Sequence, residues 1–191
     1  NALRSLGFSK GDVIAIYMPM IPETAIALLS IAKIGCIALP LFSGYGPGAI
    51  SSRLKHTDAK GLFTADGCFR KGKLIDLKHT ADSALKSVSS IKHVIVVRRS
   101  NNSTDMLSGR DYWWHEIVPC QPNKSPLEPT VAEDPIMVIY TSGTTGNPKG
   151  AVHTHCGFPI KAAQDIAFGL DIHNGDVLYW ITDMGWMMGP W

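Results

Sequence analysis

Apolar residues in this chain fall into short unbroken runs, set apart by glycine or proline, with helix-spaced stretches between them. Residues 13–18 form such a run after the turn Lys10-Gly11-Asp12, which predicts a strand covered on both faces. Pro22-Glu23-Thr24 places proline in the first turn of a helix over 25–34 that stops at Gly35. Residues 36–41 predict the next strand, 43–48 a loop, and 49–56 a short helix with Ile50 and Leu54 four apart. A strand over 61–65, a weaker helix over 80–89 and a strand over 93–98 follow. Residues 1–7 read as the last turns of a helix stopped by Gly7.

From 99 to 134 the pattern lapses. Five prolines lie between 119 and 135, which predicts an irregular connection laid over the surface. Apolar runs then resume, with strands expected over 136–139, 151–155 and 177–182 and a helix over 158–170. Strand–helix alternation of this kind predicts an α/β fold: mostly parallel, doubly wound sheets with flanking helices and right-handed crossovers. The expected division is a first α/β part over 1–98, the proline-rich connection over 99–135, and the start of a second α/β part over 136–191.

Composition narrows the function more than the fold. The 191 residues are 45% hydrophobic and 18% charged, with a net charge of +2. The basic residues are scattered and form no stripe, which argues against a nucleic-acid partner. Cys36, Cys68, Cys120 and Cys156 are widely spaced and read as reduced thiols of a cytoplasmic protein, not as a zinc site. No apolar run approaches the ~20 residues of a membrane helix. The chain starts without Met and stops in an aromatic stretch at Trp191, so an internal piece of a longer protein is expected.

One stretch carries chemistry: Tyr140-Thr141-Ser142-Gly143-Thr144-Thr145-Gly146-Asn147-Pro148-Lys149-Gly150. Glycines let a backbone turn its N–H groups toward a ligand, hydroxyls donate hydrogen bonds, and lysine adds a point charge. Together they suit a polyanion such as a nucleotide triphosphate. The common P-loop pattern would need glycine where Pro148 stands. A plain hairpin turn would need only two or three such residues.

This stretch resembles, without a break, the phosphate-binding signature of the adenylate-forming enzymes: acyl-CoA synthetases, peptide-synthetase adenylation domains and luciferases. Residues 42–47, Thr64-Ala65-Asp66-Gly67, Arg70-Lys71-Gly72-Lys73, and residues 93–97, 109–115 and 182–186 resemble the acetyl-CoA synthetase branch. The resemblance spans essentially the whole chain and implies part of the larger N-terminal domain. It also implies the reaction. A carboxylic acid attacks the α-phosphate of Mg2+-bound ATP, giving an acyl adenylate and pyrophosphate, and CoA thiol then displaces AMP. Thr141, Ser142, Thr144, Thr145 and Lys149 would hold the phosphates, with Gly143, Gly146 and Gly150 flexing the loop. Trp186, Met187 and Met188 would line the acyl pocket. The acetate pattern has Val and Thr at the two methionine positions, and His at Pro190, so the acid implied here need not be acetate. Catalytic residues are expected beyond Trp191.

Other candidates carry less. His153 and His155 alternate on a strand without a third ligand and read as satisfied structural histidines, so no metal site is expected. Asp58, Asp66, Asp76 and Asp82 show no acid–base pairing and read as solvated or capping groups. Trp113, Trp114 and His115 read as packing against the irregular connection. Cys156, at the start of a helix, has no identifiable base. An adenylation domain serving a carrier-protein thiol and a non-catalytic nucleotide binder stay open as alternatives. A dinucleotide oxidoreductase is excluded, because Pro19-Met20-Ile21-Pro22 follows the first strand instead of a glycine fingerprint.

Overall fold

A computed structural model describes residues 1–141 and 148–191. Helix α1 (Ala2–Ser5) ends just before Gly7, whose φ of +85° suits glycine. Strand β1 (Val13–Tyr17) follows, buried from Ile14 onward. Helix α2 (Pro22–Lys33) begins on its proline, and Gly35 beyond it sits at φ +69°. Strand β2 (Ile37–Pro40), helix α3 (Pro47–His56) and strand β3 (Gly61–Ala65) come next. Each lies where the apolar runs predict it.

The stretch after β3 holds a hairpin that hydrophobic pattern does not announce: β4 (Cys68–Arg70) and β5 (Lys73–Ile75), antiparallel. Its two-residue turn, Lys71-Gly72, has φ positive at both positions, +50° and +74°, the requirement of a primed hairpin turn. Helix α4 (Leu77–Leu85) starts earlier than the predicted 80–89. Asp76 caps it, accepting the His79 N–H at 2.8 Å. Strand β6 (His93–Val97) is as expected. Within 99–135, read as wholly irregular, the chain forms β7 (Asp111–Trp113) and α5 (Trp114–Ile117). They are too short to show periodicity.

Strand β8 (Pro135–Thr141) and β9 (Lys149–Thr154) complete a seven-stranded sheet of order β7-β6-β3-β1-β2-β8-β9. All neighbours from β7 to β8 are parallel, and β9 alone runs antiparallel. The fold is therefore α/β with a mostly parallel sheet and flanking helices. Its core joins the sheet's Ile14, Ile16, Leu39, Leu62, Val94 and Val96 to Ala27 and Ile31 of α2, Ile50 and Leu54 of α3, and Leu77 of α4.

Two expectations near the C-terminus are corrected. The helix over 158–170 is an α-helix only over α6 (Gly157–Gln164) and continues as a π-helical turn, Asp165–Gly169, closed by the Leu170 N–H on the Asp165 carbonyl at 3.0 Å. Residues 177–182 form no strand. A strand is held by its ladder, and these residues have none among the described residues. Val177, Tyr179 and Ile181 are 93%, 83% and 83% exposed.

Candidate functional site

In a parallel sheet the carboxyl ends of the strands share one edge, where ligands bind. Strands β2 and β8 are neighbours there, joined at Ala38 and Met137, though far apart in sequence. Each emits a segment that the sequence singles out.

From β8 comes the signature stretch. Ser142, Gly143, Thr144, Thr145 and Gly146, with Asn147, lie outside the described residues. Thr141 and Lys149 are described: they are cross-strand partners at the mouth of the β8–β9 hairpin, both exposed. One pair deeper, Tyr140 faces Gly150. A Cβ on Gly150 would lie 3.0 Å from Val138 Cγ1 and 3.3 Å from Tyr140 Cζ, so the missing side chain makes room for the tyrosine ring.

Tyr140 is tied to α3. Its hydroxyl shares a 2.5 Å hydrogen bond with His56 Nδ1, and the Arg53 guanidinium lies 5.1 Å from its ring centroid. The same guanidinium sits 4.3 Å over the Tyr45 ring, and it donates to the Tyr45 hydroxyl at 3.3 Å and the Ala49 carbonyl at 2.8 Å. Burial pushes the Tyr140 phenol pKa up, against the opposing pull of Arg53, so the hydroxyl stays protonated at neutral pH. Tyr17 anchors the other end of this group by donating to the Tyr45 carbonyl at 3.0 Å. Burial first, then neighbouring Cys68, pushes its pKa up to about 12.

From β2 comes the loop Phe42-Ser43-Gly44-Tyr45. Asp183, buried, accepts from the Ser43 N–H (3.2 Å), the Ser43 hydroxyl and the Gly185 N–H (2.9 Å). Arg70 reaches in from the β4–β5 hairpin, donating to Ser43 Oγ at 2.7 Å with Asp183 4.0 Å away. Gly185 is pressed onto the backbone of Leu41 and Phe42, where no Cβ fits. The contact brings the Trp186 ring to 5.6 Å from Phe42. Met188 lines a cavity of about 150 Å³ with Ile166, Leu170, Leu178, Trp180 and Trp191. Met187 is exposed and lies outside that lining.

Arg53 and His56 were not candidates in the sequence. The available signal was an arginine three residues after Ile50 on the apolar side of α3. Asp66, read as solvated or capping, is wholly buried. It gathers the N–H groups of Gly67, Arg99, Ser100 and Asn101. Asp82 is no lone solvated group either, because it pairs with Lys78 and Arg110. Trp113 and Trp114 pack on the sheet's end, with Arg98 4.5 Å over the Trp113 ring and Trp114 5.9 Å from Phe63. His153 sets its ring on Phe158 at 5.3 Å, and burial lowers its pKa. His155 is not fully satisfied: its Nε2 is buried without a partner among the described residues. Among the described residues no three His, Cys, Asp or Glu side chains come together. The four cysteines are free, and no described helix is long and apolar enough to cross a membrane.

A family model described as AMP-binding enzyme matches residues 1–191, and the chain belongs to that family. Acetyl-coenzyme A synthetase of Yersinia pseudotuberculosis (strain IP 31758) is 45% identical over 192 residues, covering 99% of this chain and 29% of that protein. The acetyl-coenzyme A synthetase of Escherichia coli K12 is 43% identical with the same coverage. Among solved structures, acetoacetyl-CoA synthetase from Streptomyces lividans superposes with a TM-score of 0.88 at 29% identity, over 98% of this chain and 28% of that one. The chain thus spans 29% of the length of these two acetyl-coenzyme A synthetases.

Proposed function

We propose that the protein containing this chain activates a short-chain or related carboxylic acid with ATP and passes the acyl group to CoA. The observation that carries this reading is the position of Thr141 and Lys149, the described ends of the signature stretch, paired across β8 and β9 at the carboxyl edge of the parallel strands. The names of the relatives support the same chemistry.

In the first half-reaction a carboxylate oxygen bonds to the α-phosphorus while the bond to the β-phosphate oxygen breaks, and the electron pair leaves with pyrophosphate. Charge accumulates on that leaving group. A lysine together with hydroxyl and N–H donors directed at that charge would stabilise it. Lys149 would supply the charge; Thr141, Ser142, Thr144 and Thr145 the hydroxyls; Gly143 and Gly146 the close backbone approach. In the second half-reaction the CoA sulfur attacks the acyl carbon and AMP departs. Trp186, Met187 and Met188 would shape the acyl pocket, with unbranched thioethers adapting to the acid. Among the described residues no carboxylate cluster fits the Mg2+ that the resemblance implies.

Pyrophosphate release by the full-length protein tests the reading, measured over a panel of carboxylic acids with and without CoA. Acid-dependent release with acyl-CoA formation is expected, and Lys149→Ala should slow the first half-reaction at least tenfold. Release without any acid would refute the ligase reading. Acid-dependent release that ignores CoA would favour transfer to a carrier-protein thiol. Unaltered rates in Lys149→Ala and Thr145→Ala would remove the stretch from the phosphate site.

A further inference from the structure

The stem of the signature loop rests on a cation that nothing in the proposed reaction uses. Arg53 is 8% exposed. A guanidinium is always charged, and burying one without a carboxylate is costly. Among the described residues no carboxylate pairs with Arg53, and residues 142–147, Ser-Gly-Thr-Thr-Gly-Asn, carry no acid. Its Nε is buried with no hydrogen-bond partner among the described residues. What holds it is aromatic and neutral: the faces of Tyr45 and Tyr140, the Tyr45 hydroxyl and the Ala49 carbonyl.

Each contact points at the loop's stem. Tyr140 is the last residue but one of β8, two positions before Ser142 of the signature stretch. The ring of Tyr140 is clasped on three sides: Arg53 over one part, His56 at its hydroxyl, and the bare backbone of Gly150 across the ladder. Both α3 residues lie more than eighty positions from Tyr140 in sequence. The clasp is therefore a tertiary tie between the helix after β2 and the hairpin that carries the loop.

We propose that Arg53 is a positioning residue for nucleotide phosphates, clamping the β8–β9 stem through Tyr140 so that the paired Thr141 and Lys149 are held in place when the triphosphate arrives. This inference rests on the reading of the loop as the ATP phosphate site. The planar fork is what the geometry uses, because it stacks on two rings while its Nη groups bond Tyr45 and α3. A lysine would keep the charge and lose the clamp. Preorganised donors gain affinity by lowering the ordering cost of binding. The loss on breaking the clamp should therefore appear with phosphate ligands and not with the nucleoside.

The test is binding of ATP, pyrophosphate and adenosine to the full-length protein, by titration calorimetry, in wild type, Arg53→Gln and Arg53→Lys. Both variants should weaken ATP and pyrophosphate about tenfold and leave adenosine within twofold, and the KM for the carboxylic acid should stay within twofold. Wild-type ATP and pyrophosphate affinity in a folded Arg53→Gln protein would overturn the proposal. So would recovery of wild-type affinity in Arg53→Lys, which would make Arg53 a simple charge, or an equal loss for adenosine, which would make it a general packing residue. Should the arginine variants fail to fold, Tyr140→Phe and His56→Ala decide, since each leaves the Tyr140 ring on Arg53; the first cuts the hydroxyl tie alone, the second that tie and the His56 ring contact. About threefold weaker pyrophosphate binding in both supports the clamp, and unchanged binding in both overturns it. Absence of ATP and pyrophosphate binding in wild type would instead fell the phosphate-site reading, and the clamp with it.

Discussion

Replacing Asp66 with Asn keeps the shape of a wholly buried side chain and removes its charge. Asp66 stands at the carboxyl end of β3, and the backbone after β6 wraps around it. Its Oδ1 accepts from the N–H groups of Gly67 (2.7 Å), Arg99 (2.7 Å) and Ser100 (2.9 Å) and from Ser100 Oγ (3.1 Å). Its Oδ2 accepts from the Asn101 N–H at 2.7 Å. Every one of these neighbours donates. An asparagine must therefore aim its NH2 at a donor: if the amide oxygen keeps the Oδ1 group, the nitrogen meets the Asn101 N–H. Leaving one buried donor unpaired costs about 1–3 kcal/mol, and a bond to a neutral acceptor is worth roughly 1 kcal/mol less than one to a carboxylate. With three retained backbone bonds weakened, the total is about 4–6 kcal/mol, or a fall in Tm of roughly 10–15 °C for a chain of this size.

Urea unfolding of wild type and Asp66→Asn, followed by circular dichroism, measures the difference at an unchanged m-value. A loss under about 1 kcal/mol would refute the account of Asp66 as a saturated acceptor. The pH dependence checks the sign. Burial pushes the Asp66 pKa up, but the donors of Ser100, Arg99 and Gly67 outweigh it and hold the carboxyl below its usual range. The unfolded chain then takes up the proton first as pH falls. The stabilisation is complete above the ordinary carboxylate value near ~4 and is lost as pH drops through the folded value. The gap between wild type and variant should narrow on acidification below that point.

Gly185→Ala should detach the 183–189 segment from the Phe42 loop, because the new Cβ collides with backbone of Phe42 and lies 2.7 Å from the Leu41 carbonyl carbon. The expected cost is about 2–3 kcal/mol, with faster exchange of the Ser43 and Gly185 amides; exchange at the wild-type rate would contradict the packing described. Lys78→Met should cost about 3 kcal/mol, because the buried ammonium is shared among Asp82 (2.6 Å), Asp111 (2.8 Å) and the Asp105 carbonyl (2.9 Å). Urea midpoints measure it, and a stabilised variant would show that methionine packing outweighs the lost pairs. Asp111 also has its pKa lowered, burial being outweighed by Arg110 and Lys78, so the Lys78→Met deficit should likewise shrink as pH falls below ~4.

Strands β1, β2, β3 and β6 were legible because each is a short apolar run closed by glycine, proline or a charged residue, and burial on both faces demands that run. The β4–β5 hairpin was not, since Phe69 and Leu74 are exposed and its turn, Lys71-Gly72, lacks the usual Asn or Asp. The strand expected over 177–182 has the composition of β structure, yet composition cannot supply a neighbour with free N–H and C=O groups. For the candidate site, residue type alone pointed to phosphate chemistry in the stretch from Tyr140 to Gly150. Arg53 and His56 left no comparable mark, because their partner in the clasp lies 84 or more residues away.

The sequence by itself determined the alternation of strands and helices, the place of the stretch from Tyr140 to Gly150 between two strands, and membership in the AMP-binding family. Those properties are local: they follow from which residues tolerate burial, tight turns or an anion. Tertiary structure decided that β8 lies beside β2, that Asp183 seats Trp186 against Phe42, and that Arg53 and His56 grip Tyr140. Each of those depends on which sheet edge a distant strand takes, and long-range pairing selects among edges that local pattern leaves equivalent.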